Sequence, residues 1–159
     1  MIECGIQIAK QPNQWVFVFQ GDVRLSLCTT LDELIDSVFS EETPSELAID
    51  LSQAANIDST CLGLLAKLAL HFHKTVGVLP GLHCPSQDLV ELIESLGLES
   101  LFEWHDDAPM AAGQSVALKA CDAQAAQPVI LQAHETLSQL NDANQAEFHG
   151  LIHALKDRS

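Results

Sequence analysis

The chain has 159 residues and a mass of 17.2 kDa, the size of one ordinary domain or a small domain with an appendage. Hydrophobic residues make up 47% and charged ones only 18%, so a core can be buried and the chain is not disordered throughout. Seven Lys and Arg against 22 Asp and Glu leave a formal charge of -15. A surface this acidic repels phosphate backbones and anionic headgroups, which excludes a general nucleic-acid binder or a membrane-surface protein.

Ile2 to Ala9 alternates weakly, and Gln14 to Gln20 holds Trp15, Val16, Phe17, Val18 and Phe19. Both read as strands joined by a turn at Pro12-Asn13. Thr30-Leu31-Asp32-Glu33 matches a capping box, and Leu31, Leu34, Ile35, Val38 and Phe39 follow at helical spacing. Glu41 to Pro44 ends that helix, and Glu46 to Ser52 reads as a short central strand. Asp58-Ser59-Thr60 opens a second helix reaching about Lys74, and Thr75 to Leu82 is an apolar strand candidate. Ser86 caps a third helix that stops at Gly97, and Leu101 to Trp104 closes the domain as an extended segment or turn.

Residues 106–127 are dominated by Ala, Gln, Gly, Ser and Asp and read as a linker, with room for a short strand near Val116 and Leu118. From Pro128 to the end the spacing predicts an amphipathic helix, with Ile130, Leu137, Leu140, Phe148, Leu151 and Leu155 close to one stripe. Asn141 to Asn144 is the point where it is open to interruption. The expected organisation is a domain over 1–105, a linker over 106–127 and a C-terminal helix over 128–159 that packs on the domain or pairs with a second copy. The order of elements predicts an α/β fold, a mixed sheet with helices on one face plus a helical extension.

The start of the second helix carries the chemistry. Asp58 and Ser59 are both strong cap residues, and the hydroxyls of Ser59 and Thr60 fall near free backbone N–H groups at the positive end of the helix dipole. Such a place tolerates a phosphoryl group. One stripe, Leu62, Leu65, Ala69 and Phe72, suffices to face a sheet, yet the opposite stripe holds Gly63, Leu64, Lys67, Leu70 and His71. Leu64 and Leu70 beside scarce cations mark either a partner surface or a stripe covered by the C-terminal helix. Gly63 costs about 1 kcal/mol inside a helix, which a close approach by a partner or a neighbouring element would explain.

Ala48-Ile49-Asp50-Leu51-Ser52, followed by Ile57-Asp58-Ser59-Thr60-Cys61-Leu62-Gly63-Leu64-Leu65, resembles the STAS domain of bacterial anti-sigma factor antagonists. That family shows a strand ending in D-L-S and a helix start D-S-[ST]-G-L-G-x-L. Cys84-Pro85-Ser86 with Leu89 to Leu96, then Gly97-Leu98-Glu99-Ser100-Leu101-Phe102, is similar to its third helix and closing motif. The resemblance implies a STAS-like fold and a non-enzymatic partner switch. Ser59, less readily Thr60, would be phosphorylated by a cognate kinase and dephosphorylated by a PP2C-type phosphatase. The unmodified form would bind an anti-sigma factor or a kinase/phosphatase-type response regulator through Asp58, Ser59, Thr60, Gly63, Leu64, Lys67, Leu70 and His71. STAS-like proteins also serve as accessory subunits of ABC-type lipid transport complexes, which is the alternative. Cys61 departs from the motif, standing where the family has Gly; a small packed residue is the plain reading and a redox thiol the sharper one.

The remaining signals are bland. Cys4, Cys28, Cys61, Cys84 and Cys121 are odd in number and hold no CxxC, which fits free thiols in a reducing cytoplasm. Met1-Ile2-Glu3-Cys4 has no signal-peptide character. His71 and His73 face different ways on a helix, His134, His149 and His153 read as solvated tail residues, and no metal is expected. Without a nucleophile elbow, a P-loop or a GxGxxG turn, no catalytic residue or cofactor is expected.

Overall fold

The structure, a computed structural model, describes residues 4–109 and 113–157. A six-stranded mixed sheet has the order β5-β4-β3-β2-β1-β6. Strands β1 (Gly5–Lys10) and β2 (Gln14–Val23) form an antiparallel hairpin through the expected Pro12-Asn13 turn. Strand β3 (Glu46–Ile57) runs parallel to β2, and β4 (Gly81–His83) and β5 (Glu103–Trp104) continue the parallel half. Strand β6 (Gln114–Ser115) pairs antiparallel with β1 on the far edge.

The helices are α1 (Cys28–Ser40), α2 (Ser59–Val76), α3 (Gln87–Ser95), α4 (Ala123–Ser138) and α5 (Asp142–Asp157). Side chains alternate across β2, and this alternation separates two clusters. Trp15, Phe17 and Phe19 join Leu47, Ile49 and Leu51 of β3 in the main core, to which all five helices contribute, through Leu31, Leu62, Leu89, Ala133 and Phe148 among others. Val16, Val18, Ala9 and Ala48 point the other way into a small cluster without any helix residue. The expected α/β architecture, a mixed sheet with helices on one face and a helical extension, is therefore what the chain forms.

Several boundaries differ from expectation for identifiable reasons. Helix α1 begins at Cys28, continuing a 3-10 turn over Leu25–Leu27, so Thr30 lies inside the helix instead of capping it. Its hydroxyl accepts from the Lys119 N–H at 3.1 Å. Strand β3 runs on to Ile57, because β2 also runs to Val23 and the two stay paired past an irregularity in register. Helix α2 continues to Val76 and stops at Gly77, whose φ of 90° is the left-handed cap that glycine adopts freely. The strand expected over Thr75 to Leu82 is thereby reduced to Gly81–His83. Ser86 caps α3 and Gly97 follows it with a φ of 74°, as expected. Ile2, expected at the start of the first strand, lies outside the described residues.

The extension differs most. Residues 106–127 are not all linker: they contain β6 and the first turns of α4, which begins at Ala123 with Pro128 inside it. The tail is two helices, broken after Ser138 near the Asn141-Asn144 segment singled out in the sequence. The Asn141 side chain accepts from Asn144 N at 2.8 Å and so helps to start α5. Among the described residues no helix is long and apolar enough to cross a membrane.

Candidate functional site

The site lies where β3 delivers the chain into α2. Asp58 has an extended backbone (φ -90°, ψ 171°) and is the N-cap residue. One carboxylate oxygen, Oδ1, accepts from Cys61 N at 2.9 Å, the capping bond expected of Asp. The other, Oδ2, accepts from Leu25 N at 2.6 Å. Asp58 thus ties the start of α2 to the 3-10 turn before α1.

Ser59 is the first helical residue and is half-buried. Its Oγ lies 3.0 Å from His134 Nε2 on α4. His134 Nδ1 lies 2.7 Å from the Ile130 carbonyl oxygen, one turn back in the same helix. A carbonyl only accepts, so Nδ1 carries a proton; in that neutral tautomer Nε2 accepts from the Ser59 hydroxyl. The ring is 2% exposed and packs edge-on against Phe148 of α5, with centroids 5.2 Å apart. His134, read from the sequence as a solvated tail residue, is therefore buried and engaged.

Below Ser59 the outer stripe of α2 is covered by α4. A Cβ on Gly63 would stand 2.4 Å from the Ala133 carbonyl oxygen, so only glycine admits this approach. The neighbouring element, and not an outside partner, explains that glycine. Leu64, read as part of either a partner surface or a stripe covered by the C-terminal helix, is fully buried, and Thr60 is 5% exposed. Lys67 Nζ donates to Asp32 Oδ1 of α1 at 2.9 Å and to Gln132 Oε1 of α4 at 3.0 Å, tying three helices together. At the far end Leu70 remains 42% exposed, and His71 is exposed with its ring stacked 3.6 Å from that of Phe39.

The residues expected to form one docking stripe thus fall into three groups. Asp58 and Ser59 form the rim, Thr60, Gly63 and Leu64 lie underneath, and Lys67, Leu70 and His71 run out to the exposed end. The residues missed by sequence reasoning, Gln132, Ala133 and His134, all sit on the covering helix. Their signal was the interior Gly63 together with a His four residues after Ile130 and three before Leu137, on the apolar stripe itself.

Cys61 is fully buried and its Sγ donates to the Arg24 carbonyl at 3.3 Å. Burial, reinforced by the Asp58 carboxylate, pushes its thiol far above the usual cysteine range. This is the opposite of what a redox thiol needs, and Cys61 serves as a small packed residue. Among the described residues no group of three or more His, Cys, Asp or Glu could hold a metal ion.

The family model described as "Mlab, STAS domain" matches residues 6–103. Helices α4 and α5 lie beyond that match. Two solved structures are similar in fold. One is the anti-sigma factor antagonist SpoIIAA in its unphosphorylated form, with a TM-score of 0.52 at 14% identity over 65% of this chain and 89% of that one. The other is the Bacillus cell fate determinant SpoIIAA in the phosphorylated form, with a TM-score of 0.52 at 14% identity over 64% of this chain and 92% of that one. No curated protein sequence matches the chain.

Proposed function

This chain belongs to the STAS-domain family, and from that premise we propose that it is a cytoplasmic anti-sigma factor antagonist, a binding protein without catalytic activity that is switched by phosphorylation of Ser59. The observation that carries this reading is the Ser59 hydroxyl at the rim of α2, directly after a doubly bonded Asp58 cap. Thr60 is buried, which leaves Ser59 as the better acceptor. The unmodified chain binds an anti-sigma factor or a kinase/phosphatase-type regulator over this rim, with Asp58, Ser59 and the exposed end at Leu70 and His71 in contact.

Phosphorylation adds about -1.5 to -2 charges at neutral pH. The free N–H groups at the head of α2 favour an anion within the chain. A partner packed over the rim desolvates and crowds it. A loss of roughly 3–4 kcal/mol weakens binding several hundredfold, enough to separate a complex. Titration of the cognate anti-sigma factor is expected to show Ser59→Ala bound and Ser59→Glu released; equal affinities of the two variants would refute the reading.

A second reading is an accessory subunit of an ABC-type lipid transport complex. It is favoured by the engagement of Ser59 by His134 and the covering of Gly63 and Leu64 by α4, since an accessory needs no free acceptor. A pull-down from the native cell separates the two: a kinase or phosphatase regulator supports the first, an ATPase subunit the second.

A further inference from the structure

The Ser59–His134 bond has a polarity that phosphorylation removes. His134 Nδ1 donates to the Ile130 carbonyl at 2.7 Å, and in the neutral tautomer this leaves Nε2 as an acceptor facing the Ser59 hydroxyl across 3.0 Å. Kinase transfer from a nucleoside triphosphate forms a bond between Oγ and the γ-phosphorus. The β–γ phosphoanhydride bond breaks, the diphosphate leaves with its electron pair, and the hydroxyl proton passes to the kinase base. Ser59 then has no proton to donate. A tetrahedral phosphoryl group with three further oxygens does not fit in a gap that one hydrogen bond fills. The ring cannot retreat, because it is buried against Phe148 and its helix lies on Gly63 with no space for a Cβ. If the side chain swings to solvent instead, Nε2 is left buried without its donor. The Asp58 carboxylate on the preceding residue adds like charge.

We propose that Ser59 is the catch that holds the α4–α5 hairpin on α2, and that its phosphorylation expels the hairpin and uncovers Gly63 and Leu64. This rests on Ser59 being the phosphoacceptor. It goes beyond loss of a partner, because the modified chain gains a surface that the unmodified chain hides. The uncovered layer is large: Ala126, Ala133, Leu137 and Phe148 are all buried members of the core.

The test uses the full chain with phosphoserine inserted at 59 by codon suppression, compared with the unmodified chain and Ser59→Ala by hydrogen exchange and mass spectrometry. Exchange in residues 123–157 is expected to speed up by about tenfold or more on phosphorylation, and by clearly less in Ser59→Ala, while peptides of β2 and β3 stay protected. In a His134→Ala background, where the ring is gone, phosphorylation is expected to add less than about twofold. Unchanged exchange of the phosphorylated chain overturns the proposal. So does acceleration by Ser59→Ala equal to that by phosphoserine, since then only a lost hydrogen bond is at work. An equal acceleration with and without the His134 ring also overturns it. Failure of the underlying reading is distinct: partner binding indifferent to Ser59→Glu removes the partner switch but leaves the hairpin result standing.

Discussion

A methyl group added at Gly63 meets backbone, not a flexible side chain, at 2.4 Å. Helix propensity alone would favour alanine there by about 1 kcal/mol. Overpacking against an immovable carbonyl typically costs 1–3 kcal/mol. Contact wins, so Gly63→Ala is expected to lower the unfolding free energy by about 1 kcal/mol net, read as a lowered denaturation midpoint, and to release α4 before the sheet; a raised midpoint would contradict this close approach. The Asp58 cap, and with it Ser59 as the first helical residue, was legible in the sequence because capping is a local rule that acts within four residues. His134 was not, since periodicity places a residue on a stripe without saying what the stripe covers. Gly63 stated the need for a close neighbour but did not name it, and the C-terminal helix was one of two candidates.

At the scale of elements, regular segments were readable wherever one rule governed them, as in the Ser86 cap and the Gly97 stop of α3. Expectation failed where pairing or continuity overrode local chemistry. Strand β3 is longer than its apolar run because β2 holds it in register, and α1 starts early because the preceding 3-10 turn feeds it. The two tail helices are joined to the domain through Asn144, which is 2% exposed. Its Nδ2 donates to the Leu96 carbonyl at 2.8 Å and to the Leu137 carbonyl at 3.0 Å, linking α5 to the end of α3 and to α4. Asn144→Ala removes both bonds, leaving the Leu96 carbonyl to the longer Asn141 Nδ2 contact at 3.4 Å and the Leu137 carbonyl to Leu140 N at 3.2 Å. It is expected to cost about 2 kcal/mol by chemical denaturation, with hydrogen exchange in α4 and α5 rising first. A cost near zero would mean that water replaces the amide at no penalty.

At the scale of the whole molecule, the mixed α/β sheet with helices on one face was legible from the order of the elements and the motif pair. The packing of the tail was not, because its contacts are far apart in sequence. Three thiols sit within this fold, and burial raises each: Cys28 is pushed up to about 12, with nearby Cys121, Asp58 and Asp32 adding to burial, and Cys61 and Cys84 are raised as well. The unfolded chain ionises its thiols near pH 9 while the folded chain keeps its protons, so the unfolded state binds fewer protons above that pH. Their contribution is complete below pH 9 and is lost as pH rises toward about 12. The melting temperature is expected to fall over that window, and Cys61→Ala to flatten the decline. A melting temperature independent of pH above 9 would show the thiols to be reached by solvent.

The path of the chain beyond the family match has its own consequence. Strand β5 lies on one edge of the sheet and β6 on the other, and past β6 the Lys119 N–H is bound to Thr30 and its Nζ to Glu33 of α1. The hairpin is therefore leashed within a few residues of its own seat. Once lifted it is not diluted into the surroundings; it stays at a local concentration in the millimolar range set by that short leash. Reseating is then a first-order event, independent of how many copies a cell holds, and any visitor to the bared helix has to outcompete a rival that never leaves.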